Sequence, residues 1–146
     1  MLNGRVILRR CAKHEGSGGY IFWIDSLNGK RSKYSNALSK LIEEDIPVVT
    51  CPVIIQEILQ GFNNDKDFKS VQENLSGFEM LELDPLKASL GAASLYRELR
   101  KKGITLRKSN DCLIAFFCLH FKIPILHKDK DFDKIGRFTA LKIFTP

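Results

Sequence analysis

The chain lacks any apolar run near the roughly 18 residues that a membrane-spanning helix needs. Cysteine is scarce: four residues, Cys11, Cys51, Cys112 and Cys118, with no CxxC pair. That excludes a disulfide framework, and the apolar runs around Cys51, Cys112 and Cys118 suit reduced thiols that pack as small hydrophobes. Cys11 and His14 offer half of a zinc-ligand spacing, but no second half follows. Gly16-Ser17-Gly18-Gly19 lacks the Lys-Ser/Thr that would make it a P-loop, so it reads as a flexible linker. No internal repeat is present. His14, His120 and His127 sit in no Ser-His-Asp or Cys-His pattern, and each reads as structural. The start carries Arg5, Arg9, Arg10 and Lys13 around only a short apolar patch, Val6-Ile7-Leu8, which makes a poor signal peptide. A cytoplasmic location is the expectation.

What is present describes one ordinary domain. The chain has 146 residues, 44% hydrophobic and 27% charged, near the commonest domain size and able to bury a core without staples. Lys and Arg number 23 against 17 Asp and Glu, a net charge of +6. Such an excess favours polyanions through phosphate neutralisation, although charge alone fits an inert basic surface equally well.

The first 19 residues are hard to read, with a short strand possible between Arg5 and Arg10; residues 20–146 carry the domain. Tyr20 to Leu27 is apolar around Asp25, and Asn28-Gly29 marks a turn. Helical spacing of Leu38, Leu41 and Ile42 predicts a helix over Ser35 to Glu44, and Pro47 to Thr50 reads as a buried strand. Pro52 suits the first turn of a helix that runs to Gly61. A further helix is expected from Asp67 to Leu75 and a strand from Phe78 to Leu83. Asp84-Pro85 opens a long helix whose last turn holds Arg97, Arg100, Lys101 and Lys102, with Gly103 after it. Asp111 to Phe121 is an apolar helix, Ile123 to His127 a strand, and Leu141 to Phe144 the last strand. Alternating strands and helices predict an α/β fold with a parallel sheet, whose ligand sites lie at the carboxyl ends of the strands.

The informative residues are acids in apolar surroundings. Glu57 interrupts the buried run Val53 to Leu59; it either faces an opening or a metal, or shares an exposed stripe with Gln56 and Gln60. Asp111 fits an N-cap, a place that also keeps a carboxylate ionised. Asp129, Asp131 and Asp133 follow the strand that ends at His127. In extended chain, Asp129 and Asp131 would point to opposite sides, one towards a metal and one orienting the loop. Several acids in one cleft need a cation, and Mg2+ or Mn2+ suits all-oxygen ligands and can activate water at a phosphate. Arg97, Arg100, Lys101, Lys102, Arg107, Lys108, Lys128, Lys130 and Arg137 are the candidates for holding flanking phosphates.

These segments resemble the PIN-domain endoribonucleases, in particular the VapC-type toxins of toxin–antitoxin pairs. Trp23-Ile24-Asp25-Ser26-Leu27-Asn28-Gly29 is similar to the family's first-helix segment. Thr50 to Gly61 is similar to the strand and helix that carry its second acid. Leu106 to Asp133, with Asn110-Asp111-Cys112-Leu113-Ile114-Ala115 and Asp129-Lys130-Asp131-Phe132-Asp133, is similar to its later acidic motifs. The likeness runs from about Tyr20 to Phe144. It implies a PIN-like α/β/α sandwich with a mostly parallel central sheet and a Mg2+- or Mn2+-dependent ribonuclease. Glu57, Asp111 and Asp129 would be the metal-facing acids, with Asp131, and Asp25 in doubt, beside them. Arg107, Lys108, Lys128 and Lys130 would contact RNA. A cognate antitoxin and a homodimer are implied as partners.

One departure from the family stands out. Its first acid should precede Asp25 by six positions, which lands on Gly19, and no strand is recognisable before it. A reading-frame change near the start would leave an impaired enzyme. Alternatively Asp25-Ser26 ends a strand formed by Tyr20 to Ile24, or the chain keeps the fold and binds antitoxin or RNA without cleaving.

Overall fold

A computed structural model describes residues 6–8 and 32–145. Asp25, Gly19, Cys11, His14 and the Tyr20 to Leu27 segment lie outside the described residues. The elements in order are β1 (Val6–Leu8), α1 (Lys33–Glu43), β2 (Val48–Thr50), α2 (Pro52–Leu59), α3 (Asp65–Ser76), β3 (Glu79–Met80), α4 (Pro85–Lys101), α5 (Ser109–Phe121), β4 (Ile125–Leu126) and α6 (Lys130–Phe138).

The strands form one parallel sheet in the order β3-β2-β1-β4. Every residue of β2 and β4 is buried. Since successive side chains point to opposite faces, the middle of the sheet is covered on both, as parallel sheets require. This is the α/β/α sandwich, with six helices around four strands among the described residues. Its core joins Ile7, Val49, Ile125 and Leu126 of the sheet to Leu38, Leu41, Ile54, Ile58, Leu99, Ile114, Phe132 and Ile135 of the helices.

Local chemistry explains most boundaries. Ser32 and Ser35 form a capping box that starts α1 two residues before the expected position. Asn64 caps α3, accepting hydrogen bonds from the N–H groups of Lys66 and Asp67, so that helix too begins earlier than its apolar pattern. Asp84 accepts from the Lys87 N–H at 2.8 Å and Pro85 fills the first position of α4, as expected. Gly103, at φ +76, follows that helix in the left-handed conformation glycine tolerates. Several strands are shorter than expected, β4 among them, with Ile125–Leu126 in place of Ile123 to His127. Phe78 to Leu83 pairs only at Glu79–Met80, on an exposed edge. Leu141 to Phe144 contributes an isolated bridge from Ile143 to Ile125.

The short strand that was possible between Arg5 and Arg10 is β1. Three residues are too short to carry a pattern, yet Val6–Leu8 pairs with β2 on one side and β4 on the other. The chain runs from β1 outward to β2 and β3, while β4 lies on the other side of β1. The switch in strand order therefore falls beside β1, where open α/β sheets place their sites. After Leu8 the sequence reads Arg9-Arg10-Cys11, with no acid before Glu15. The strand lies well upstream of the position that counting from Asp25 selects.

Candidate metal centre

Three acids converge at the carboxyl end of the sheet. One carboxylate oxygen each from Asp111, Asp129 and Asp131 lies within 4.8 Å of the others. All three residues are buried, at 0%, 3% and 1% exposure. The apolar helix α5 delivers Asp111 and the turn from β4 into α6 delivers the other pair.

The turn corrects one expectation. Asp129 and Asp131 are not on opposite sides, because the chain does not stay extended. Asp129 is the N-cap of α6, and its Oδ1 accepts from the Asp131 N–H at 3.1 Å. The helical turn brings both carboxylates to one place. Asp111 is corrected as well. The cap residue of α5 is Lys108, with no side-chain cap, and Asp111 sits in the first turn with its side chain buried. There the helix dipole still favours its negative charge.

Glu57 is buried at 6% exposure, while Gln56 and Gln60 are exposed, so it does not share their stripe. It is not one of the three clustered acids. Asn110 links it to them: its Nδ2 donates to Glu57 Oε1 at 3.3 Å, and its backbone adjoins Asp111.

Two cations balance the cluster. Arg107 reaches Asp129 Oδ1 through Nη2 at 3.3 Å and Asp131 Oδ2 through Nε at 3.5 Å. Its backbone N–H also donates to Asp131 Oδ2 at 3.2 Å. Lys134 Nζ donates to Asp131 Oδ1 at 2.8 Å. Burial pushes the Asp131 carboxyl up, but the Lys134 hydrogen bond, the Arg107 N–H and the charges of both residues outweigh it and hold it below the usual carboxylate range. Asp131 thus has a partner on each oxygen. The sequence reading missed Asn110 and Lys134. Lys134 was findable, since residues three apart share a helix face.

The residues expected to contact RNA divide. Lys108 and Lys130 are exposed beside the acids in sequence. Lys128 Nζ lies 5.0 Å from the Tyr34 ring centroid, over an aromatic face of α1. Arg107 is 70% exposed, with its charged end on the acids. His127 is buried, 5.2 Å from the Phe132 ring and 3.6 Å from Asp133, in keeping with a structural role.

The donor set fits a hard divalent cation. It is all oxygen, the choice of Mg2+, Mn2+ and Ca2+. Three buried carboxylates sharing so small a space would together hold such a cation, whose charge would offset theirs.

A parallel sheet with buried acids gathered at its carboxyl end defines an α/β protein with a candidate divalent-metal site, and the comparisons narrow it. The PIN domain family model matches residues 22–138. Ribonuclease VapC11 of Mycobacterium tuberculosis (strain H37Rv) and VapC ribonuclease Mb1587 of Mycobacterium bovis are each 31% identical over 121 residues, covering 82% of this chain and 90% of the relative. Among solved structures, VapBC2 from Rickettsia felis bound to a promoter DNA fragment aligns with TM-score 0.69 at 17% identity, over 96% of this chain and 97% of that one. VapBC-5 from Mycobacterium tuberculosis aligns with TM-score 0.64 at 19% identity, over 98% and 99%. At these identities the structures speak for the fold. The chain belongs to the PIN domain family, on the branch of the VapC ribonucleases.

Proposed function

We propose that this protein is a VapC-type endoribonuclease that hydrolyses RNA phosphodiester bonds with Mg2+ or Mn2+. The observation that carries the reading is the buried trio Asp111, Asp129 and Asp131, held ready by the fold at the end of a parallel sheet. Asp111 and Asp129 would hold the cation. Bound there, it supplies a lowered pKa for water and neutralises charge on the scissile phosphate. Glu57, held by Asn110, would accept the proton of the attacking water. Asp131 serves as a positioning residue, since its two oxygens secure Lys134 and Arg107. Arg107 presents its exposed guanidinium to the phosphate beside the cleaved bond, a match that guanidinium geometry favours. Lys108 and Lys130 extend the positive rim. An antitoxin, in line with the VapBC toxin–antitoxin structures that share the fold, and a second copy of the chain are the proposed partners.

The alternative, a PIN fold that binds antitoxin or RNA without cleaving, takes its support from the Arg9-Arg10 sequence after β1. A chain with no cleavage to perform gains nothing from keeping three carboxylates buried together. The test is cleavage of single-stranded RNA by the purified chain with Mg2+, Mn2+ or EDTA. Asp111→Asn and Glu57→Gln are each expected to lower the rate at least about 100-fold, the scale of losing one general-base or charge-stabilising contact. Intact RNA under both metals, with the protein folded and antitoxin absent, would refute the reading.

A further inference from the structure

A concave feature of the surface includes residues that flank Asp111 in the chain. Between α4 and α5 lies a cavity of about 440 Å3, within the roughly 300–1,000 Å3 typical of small-ligand sites. The two helices are tightly packed at Gly91, where a Cβ would overlap the Phe116 ring. At Ala92 and Ala93, small side chains leave room beside Tyr96 and Arg97. Across the cavity stand Ser109 and Asn110 of α5. Asn110 also donates to Glu57, and Asp111 follows it in the chain. An occupant of the cavity therefore meets Asn110, the residue that is hydrogen-bonded to Glu57 and precedes Asp111.

Resting on the ribonuclease reading, we propose that this cavity receives the base of a nucleotide adjoining the cleaved bond. Tyr96 offers a stacking face, and single-stranded RNA is recognised by such stacking combined with hydrogen bonds to base edges. The Asn110 amide can both donate and accept, as the serine hydroxyl of Ser109 can, so either can read a base edge. Arg97 supplies positive charge for a phosphate, and no Asp or Glu is among the described residues that line the cavity.

The test uses two variants away from the acids. Ala93→Trp fills the cavity and Tyr96→Ala removes its aromatic face. The full chain is assayed in EDTA, which withholds the metal that cleavage needs, for binding of short fluorescent RNA oligonucleotides that differ one base at a time. Cleavage of the matching RNAs is measured in parallel. Each variant is expected to bind about tenfold more weakly, as loss of one stacked base predicts, and to lose wild-type base preference. The metal-induced rise in melting temperature should be kept. A variant with wild-type affinity and base preference overturns the proposal. So does a change of solution mass on Ala93→Trp, which would mean that a second copy covers the cavity. Binding needs no cleavage, so it decides the subsite even if the wild type leaves RNA intact, an outcome that would refute the ribonuclease reading alone.

Discussion

Replacing Asp111 by Asn removes one of three buried negative charges while nearly conserving shape. At 4.8 Å, two like charges repel by about 3.5 kcal/mol at an effective dielectric constant near 20. Asp111 faces two such partners. Arg107 and Lys134 offset much of this through their contacts with Asp129 and Asp131. A residual repulsion of about 1–2 kcal/mol remains as the working figure. At about 3 °C per kcal/mol for a chain of this size, the metal-free variant should melt about 3–6 °C above wild type. Divalent metal reverses the order. At a concentration 100 times its Kd, it stabilises the wild type by about 2.7 kcal/mol, or about 8 °C, and this gain should vanish in the variant. The assay is a thermal melt with and without Mn2+, followed by circular dichroism. A variant that keeps the full metal-induced shift would show that Asp111 is no ligand. One that melts below wild type without metal would refute the idea of a cluster under repulsion.

Further outcomes follow from the same geometry. Asp131→Asn should cost about 1–2 kcal/mol at neutral pH by weakening the charge-assisted bonds to Lys134 and the Arg107 N–H. Because the folded-state pKa of Asp131 is depressed, its contribution is present above the unfolded carboxyl value of about 4 and is lost as pH falls through the folded value. Urea titrations at neutral and acid pH should therefore show the wild-type advantage only at the former. Burial pushes the Cys51 thiol to about 12 and the Cys112 thiol to about 11, and Cys118 well above its ordinary value. At pH 8 these three should alkylate only after unfolding, as peptide mass spectrometry would reveal; modification in the folded protein would contradict the packing. Phe132→Ala, at a ring with 0% exposure, should lower unfolding free energy by about 3–5 kcal/mol in urea. A loss below about 1 kcal/mol would mean that α6 is not anchored through this ring.

Much of this protein was legible from its residues. Asp84-Pro85 and Pro52 announce helix starts because a side-chain cap and a missing N–H act locally. Glu57 and Asp111 stand out because a charge in an apolar helix needs a reason. Their order along the chain, with the Asp129 to Asp133 run, was enough to suggest the PIN family that the comparisons then supported. What remained hidden depends on distant partners. The capping turn at Asp129 folds Asp131 back onto the same side, where periodicity in extended chain sends it away. Arg107 seemed a free phosphate ligand until folding laid it on two acids more than 20 positions further on. Val6–Leu8 could be read only as a possible short strand, and its central place between β2 and β4 comes from pairing with both. The sequence by itself determined which side chains carry charge into apolar surroundings, since that is written in local composition. Only the tertiary structure decided which of those charges meet, because closing a site from α2, α5 and α6 takes contacts between residues that no local pattern relates.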